Sequence, residues 1–212
     1  MKLGIHHLVF TSSLVALGIF AYMIALLSQN NQVIFTDIQK YSGPIVLEQN
    51  PYLGSTTPDV RLIVYSNFTC PNCEQFSNEI RESIKDRNVV LIWKDLPNDS
   101  LNPWSTQASL AAHCAADTGR FWQYHDLLMQ QHGQFTTQTF ATLAKQIGLN
   151  TRRFNRCMDK KTFQPIIDQS TNEATQLNIT NAPSLYVGND HFATGIIDRA
   201  TLQTRLDILL EL

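Results

Sequence analysis

The stretch RLIVYSNFTCPNCEQFSNEIRESIKDR, Arg61 to Arg87, decides the fold. Leu62, Ile63, Val64 and Tyr65 form an apolar run of strand length that breaks at Asn67, and after it Phe76, Ile80 and Ile84 recur at the spacing of one helical face. Between the two lies Cys70-Pro71-Asn72-Cys73, so a C-x-x-C opens a helix directly after a strand. Pro71 suits the first helical position, where its missing N–H has no intrahelical partner. Cys70, at the positive end of the helix dipole, is placed to favour a thiolate and is the candidate nucleophile. Cys73 shares the inward face of Phe76 and Ile80 and is the candidate resolving thiol. The competing reading is half of a zinc site, but the chain has no second C-x-x-C and no H-x-x-x-H.

Working outward, Val89 to Trp93 is a second continuous apolar run, and strand, helix, strand reads as a parallel pair with a crossover helix. From about Ser105 to Leu177 the pattern is helical. Ala108, Ala111, Ala112 and Ala115 form a small-residue face, Phe121, Trp122, Tyr124, Leu127 and Leu128 a bulky one, Thr137 caps a third segment, Phe154, Cys157 and Met158 lie on a fourth, and Pro165 starts a fifth. That is too long for a crossover loop and reads as an inserted helical subdomain. Ser184 to Val187 and His191 to Thr194, separated by Gly188-Asn189-Asp190, read as a hairpin. Asp198 then caps a helix that buries Leu202, Leu206, Leu209 and Leu210. Upstream, Ile45, Val46 and Leu47 read as a small edge strand, with Pro51, Gly54 and Pro58 punctuating the approach to the main strand.

The 212 residues carry a net charge of −2 with 16% charged residues, which implies no basic surface for nucleic acid. Leu8 to Leu27 holds no formal charge and is long enough, as a helix, to cross roughly 30 Å of hydrocarbon. With Lys2 before it, residues 1–7 are expected in the cytoplasm and everything after Leu27 on the extracytoplasmic side of the cell membrane. A cleaved signal peptide is the alternative, but Leu26-Leu27-Ser28-Gln29 offers no A-x-A site. The expected organisation is thus a single-pass anchor at 8–27, a linker and edge segment at 28–53, and a folded domain at 54–212. The four cysteines, Cys70, Cys73, Cys114 and Cys157, allow three pairings and suit a compartment where disulfides persist.

The element order, with N-F-T-C-P-N-C at Asn67 to Cys73, G-R-F-W-Q-Y-H-D at Gly119 to Asp126 and N-A-P-S-L-Y-V-G at Asn181 to Gly188, resembles the DsbA-like thiol:disulfide oxidoreductases, an α/β thioredoxin fold with an inserted helical subdomain. The resemblance spans roughly Gly54 to Leu210. It implies Cys70 as attacking thiol, Cys73 as resolving thiol, and Pro183 as a cis-proline facing them, exposing the Ala182 backbone to an extended substrate. It also implies a second, non-catalytic disulfide between Cys114 and Cys157. Two buried thiols, or a metal site with His113 or His125, are the alternatives there. Family members often carry Asp where this chain has Asn67, and the best-known oxidant has His where this chain has Asn72. That oxidant sets the scale, with a nucleophile pKa near 3.5 and a potential of about −120 mV.

The implied function is a membrane-tethered oxidase that introduces disulfides into exported client proteins. A quinone-linked membrane partner of DsbB or vitamin K epoxide reductase-like type would reoxidise it, with no bound cofactor and no metal. A reductase or isomerase on the same fold, or a non-enzymatic metal carrier or chaperone, are the rival readings. Phe121, Trp122 and Tyr124 are expected in packing, and His125 and Asp126 in structural bridges. Lys94 is read either as a charged neighbour of Cys73 or as a solvated strand end.

Overall fold

The chain divides between Ser42 and Gly43, and a computed structural model describes residues 43–211. The expected anchor at 8–27, the cytoplasmic segment 1–7 and most of the linker lie outside the described residues. Among the described residues no helix is long and apolar enough to cross a membrane.

The strand predicted before the C-x-x-C is β2, Val60–Ser66; β3 is Val89–Asp95, and the two run parallel from Val60↔Val89 to Ser66↔Asp95. Their crossover is α1, Cys73–Ile84. The hairpin is β4, Ser184–Val187, and β5, Asp190–Thr194, with β4 antiparallel to β2. With β1, Tyr52–Gly54, antiparallel to β3, the sheet has five strands in the order β1-β3-β2-β4-β5. Between β3 and β4 the helical insertion contributes α2, Ser105–Ala116; α3, Phe121–Met129; α4, Thr137–Gln146; α5, Thr151–Asp159; and α6, Gln164–Gln176. The last helix, α7, is Arg199–Leu210, capped by Asp198.

The sheet is buried on both faces, which is why β2 and β3 read as unbroken apolar runs rather than alternating ones. One face, with Leu62, Val64, Leu91 and Trp93, packs against Cys73, Phe76 and Ile80 of α1, Leu202 and Leu206 of α7, and the insertion. The other, with Ile63, Tyr65, Val90 and Ile92, packs against Ala174 of α6.

Leu209, expected to be buried on α7, is 39% exposed, and three further expectations shift. The edge strand lies at Tyr52–Gly54, not at Ile45–Leu47. Ile45 cannot join a ladder because side chains take its backbone: its N–H donates to Glu173 Oε1 at 2.5 Å and its carbonyl accepts from Lys94 Nζ. The chain enters the sheet only after Pro51, whose carbonyl accepts from Trp93 N–H at 2.8 Å. Lys94 is neither a neighbour of Cys73 nor a solvated strand end. It is buried on the opposite sheet face, 2.9 Å from Glu173 Oε2, which also accepts from the Tyr65 hydroxyl at 2.5 Å. And α4 is capped by Thr136 in a capping box with Thr139, one residue before the Thr137 expected from sequence.

Candidate active site

β2 ends at Ser66, and Asn67 turns the chain. Its side-chain oxygen accepts from Thr69 N–H at 2.6 Å, a turn that competes with strand continuation. The regular helix begins at Cys73, so Pro71 and Asn72 form the turn that leads into it rather than its first positions. Cys70 carbonyl accepts from Cys73 N–H at 3.3 Å, and Asn72 carbonyl from Phe76 N–H at 3.1 Å, so the turn runs continuously into α1. Proline is favoured at the second place of such a turn. Pro71 and Asn72 are exposed, Cys70 is half-buried and Cys73 is fully buried, and the two cysteines are joined in a disulfide. The sulfur within reach of an incoming thiolate is therefore that of Cys70.

The loop before β4 closes the site from the other side. The Ala182–Pro183 peptide bond is cis, and Ala182 carbonyl lies 3.6 Å from Cys70 Sγ. The residues singled out by sequence at this point thus meet from two sides, Cys70, Pro71, Asn72 and Cys73 in the turn and first residue of α1, Ala182 and Pro183 in the loop before β4. Beside them runs a groove of about 410 Å³, with Thr69, Cys70, Asn72, Pro97, Leu101 and Ala182 in its walls and no charged residue in its lining. Leu101 is 85% exposed on its rim. Sequence reasoning missed this rim: nothing in Asn98-Asp99-Ser100-Leu101-Asn102-Pro103 was assigned to the site. The loop backbone at Gly133 closes on Thr69, and a Cβ there would approach Thr69 Cα to 3.3 Å at a φ of 74°.

Cys114 and Cys157 are joined as the second disulfide, between α2 and α5. His113 takes no part in it. Its Nε2 lies 2.6 Å from Asp95 Oδ2, while the Trp93 indole Nε1–H donates to Asp95 Oδ1 at 3.0 Å. Burial would raise the Asp95 carboxyl, but the His113 charge and these hydrogen bonds outweigh it and hold the carboxyl below its usual range. His125 is fully buried among Phe68, Trp93 and Trp122. Its Nδ1 lies 2.9 Å from Asp126 Oδ1 and its Nε2 3.4 Å from Ser77 Oγ of α1. Burial pushes its imidazole below the ordinary value, against the pull of Asp126. Asp126 also binds Arg81 at 2.5 Å, so the pair bridges α3 to α1 as expected.

A family model described as Thioredoxin matches residues 47–207. The Na(+)/H(+) antiporter NhaA 1 of Salinispora arenicola is 26% identical over 145 residues, 68% of this chain but 22% of that protein. The chain therefore spans about a fifth (22%) of the length of such curated relatives. Disulfide bond formation protein D of Bacillus subtilis is 23% identical over 162 residues, covering 70% of this chain and 72% of that protein. The solved thiol-disulfide exchange protein alpha-DsbA2 from Wolbachia pipientis superposes with a TM-score of 0.73 at 22% identity, over 85% of this chain and 98% of that one.

Proposed function

We propose that this chain, which belongs to the thioredoxin family, is a DsbA-like member of it and introduces disulfides into exported proteins through Cys70 and Cys73. The observation that carries this reading is the half-buried Cys70 sulfur, in a disulfide at a helix start, on a groove without charge. The similarity to a disulfide bond formation protein supports it.

In the forward reaction a client thiolate attacks Cys70 Sγ in line with the Cys70–Cys73 bond. A client–Cys70 bond forms, the Cys70–Cys73 bond breaks, and Cys73 leaves with the electron pair and takes a proton. A second client thiolate then attacks the client sulfur of the mixed disulfide, and Cys70 leaves as thiolate. The client has lost two electrons to the Cys70/Cys73 pair, and its two thiol protons pass to Cys73 and solvent. Cys70 is the better leaving group because the helix start favours its anion. Ala182 carbonyl, 3.6 Å from Cys70 Sγ, marks where an extended client backbone runs alongside the sulfur. Each pKa unit by which the fold lowers Cys70 adds about 1.4 kcal/mol to the drive toward the reduced protein.

The cycle needs an electron acceptor. A quinone-linked membrane protein of DsbB or vitamin K epoxide reductase-like type is the proposed reoxidant. Residues 8–27 are the proposed anchor that keeps the domain on the extracytoplasmic side, near that partner. Equilibrating the full chain with glutathione decides the direction of flow. A potential near −120 to −180 mV supports an oxidase or isomerase, and one near −270 mV makes the protein a reductase. Absence of any exchange, in a chain whose Cys70→Ser variant behaves identically, defeats the enzymatic reading.

A further inference from the structure

One oxygen ties together three segments that meet beside Cys70. Asn67 Oδ1 accepts from Thr69 N–H at 2.6 Å, from the Thr69 hydroxyl at 2.6 Å and from the Ser105 hydroxyl at 3.2 Å. Ser105 Oγ in turn accepts from Asn98 N–H at 2.9 Å and lies 3.2 Å from Thr69 Oγ1. Asn67 follows the end of β2, Thr69 precedes Cys70, Ser105 opens α2, and Asn98 belongs to the loop that carries Leu101. Asn67 is 6% exposed and Ser105 1%, so water competes little for the bond between them, while Thr69 is half-buried. Three donors converging on one atom also fix which end of the Asn67 amide points inward. No step of the thiol exchange uses any of these groups.

We propose that Asn67 and Ser105 are positioning residues that act through Thr69 to hold Cys70 at the groove, and that Asn67 does so with a neutral acceptor so that no anion opposes the Cys70 thiolate. The proposal rests on the reading of Cys70 as the exchanging sulfur. Its physical content is that position 67 has two separable properties. The geometry depends on an oxygen, which a carboxylate also supplies; the electrostatics depend on charge, which only the carboxylate adds. A carboxylate at 67 would accept the same three donors and would put a negative charge on the wall of the groove that Cys70 shares, where a like charge disfavours the thiolate. Removing the oxygen altogether would strand Thr69 N–H and the Ser105 hydroxyl in a buried site.

The test uses the full chain as wild type and as Asn67→Asp, Asn67→Ala, Ser105→Ala and Ser105→Thr. Hydrogen exchange at the Thr69 amide reports the geometry, absorbance of the Cys70 thiolate in the reduced protein reports the charge, and both are read without turnover. Asn67→Asp is expected to leave Thr69 protection within about 2-fold of wild type and to cut the thiolate fraction at a fixed pH, with the glutathione equilibrium constant, by about 10-fold. Ser105→Ala and Asn67→Ala are expected to lower Thr69 protection and the rate with a cysteinyl peptide by about 10-fold each, with Ser105→Thr restoring both. Unchanged Thr69 protection in both alanine variants overturns the positioning role. An unchanged thiolate fraction in Asn67→Asp overturns the electrostatic one. If Asn67→Ala does not fold, Ser105→Ala with its threonine rescue decides the first point. A wild type that exchanges no thiol defeats the oxidoreductase reading instead, and the two optical and exchange readouts still decide this one.

Discussion

Cys70 and Cys73 are separated by 3 in sequence and sit at a turn that opens on a groove, whereas Cys114 and Cys157 are separated by 43 and join α2 to α5 against the core. In the proposed cycle the same bond does opposite work in the two places. Closing so short a loop removes less freedom from the unfolded chain, about 2 kcal/mol in the chain-entropy model, so the first can be made and broken with the smaller effect on the fold. The second closes a loop for which the chain-entropy model gives roughly 4 kcal/mol. Cys114 is only 5% exposed, whereas Cys70 faces the groove. Loop length and access, rather than any difference in the bond, divide reactivity from stability.

The largest effects should break that contrast apart from both sides. Cys70→Ser is expected to remove all thiol exchange while lowering the thermal midpoint by no more than about 4 to 8 °C. The double variant Cys114→Ala, Cys157→Ala is expected to do the reverse. Its midpoint should fall by roughly 8 to 16 °C, the equivalent of about 4 kcal/mol in a domain of this size, and its exchange rate at Cys70 should stay within about 2-fold at a temperature where it remains folded. Calorimetry and a peptide-thiol assay on the same samples check both. A double variant as stable as wild type would make the second disulfide ornamental to the fold.

How much of this contrast the sequence revealed depends on how local its causes are. The strand, the C-x-x-C and its helix were legible because a four-residue period and an apolar run act over neighbours. The start of α1 was not, because the turn at Pro71 and Asn72 differs from a first helical turn only in its hydrogen bonds. Pairing of Cys114 with Cys157, and the cis bond at Pro183, came from family resemblance and not from spacing. Lys94 misled because β3 is buried on both faces, so apolar period gives no face, and its partner Glu173 is remote in sequence. The edge strand went astray for a similar reason, since Ile45 is held by Lys94 and by Glu173, 128 residues away. Leu101 and Ser105 carried no signal at all: a polar loop and a helix start look ordinary until three segments meet on Asn67.

His125 sharpens the comparison at the seam between the two regions, since α3 of the insertion meets α1 of the active turn through Ser77–His125 and Arg81–Asp126. Burial first, with Asp126 opposing it, keeps the folded imidazole neutral below its ordinary range. The sign follows: as pH falls below about 6.5 the unfolded chain takes up a proton that the folded chain refuses, so stability drops with a slope of up to about 1.4 kcal/mol per pH unit until the folded imidazole itself titrates. Asp95, held low despite its burial by His113, adds its loss only as pH falls below about 4. Urea unfolding should therefore show stability falling between pH 6.5 and 5 in wild type and falling clearly less in His125→Phe. Equal slopes would show that this seam is not where acid acts.

The smallest effect concerns the rim that the active disulfide has and the structural one lacks. Leu101 projects into solvent, yet its loop is held: Leu101 N–H lies 3.2 Å from Asn98 Oδ1, Asn102 donates to Gly133 carbonyl at 3.0 Å and accepts from Trp104 N–H at 3.0 Å. Because the loop backbone is already held, a client that covers this apolar side chain has only the side chain left to order. Partial burial of such a leucine by a client side chain is worth about 1 kcal/mol, or roughly 5-fold in rate. Leu101→Ser should lower the ratio of the rate with a leucine-flanked cysteinyl peptide to the rate with dithiothreitol by that factor, because only the peptide is long enough to reach the rim. Exchange at the Cys114–Cys157 bond, measured after denaturation has removed its burial, should show no such ratio change. If the ratio holds in the folded variant, clients approach Cys70 from the Ala182 side alone, and the groove is a consequence of how the loop packs rather than a surface that selects them.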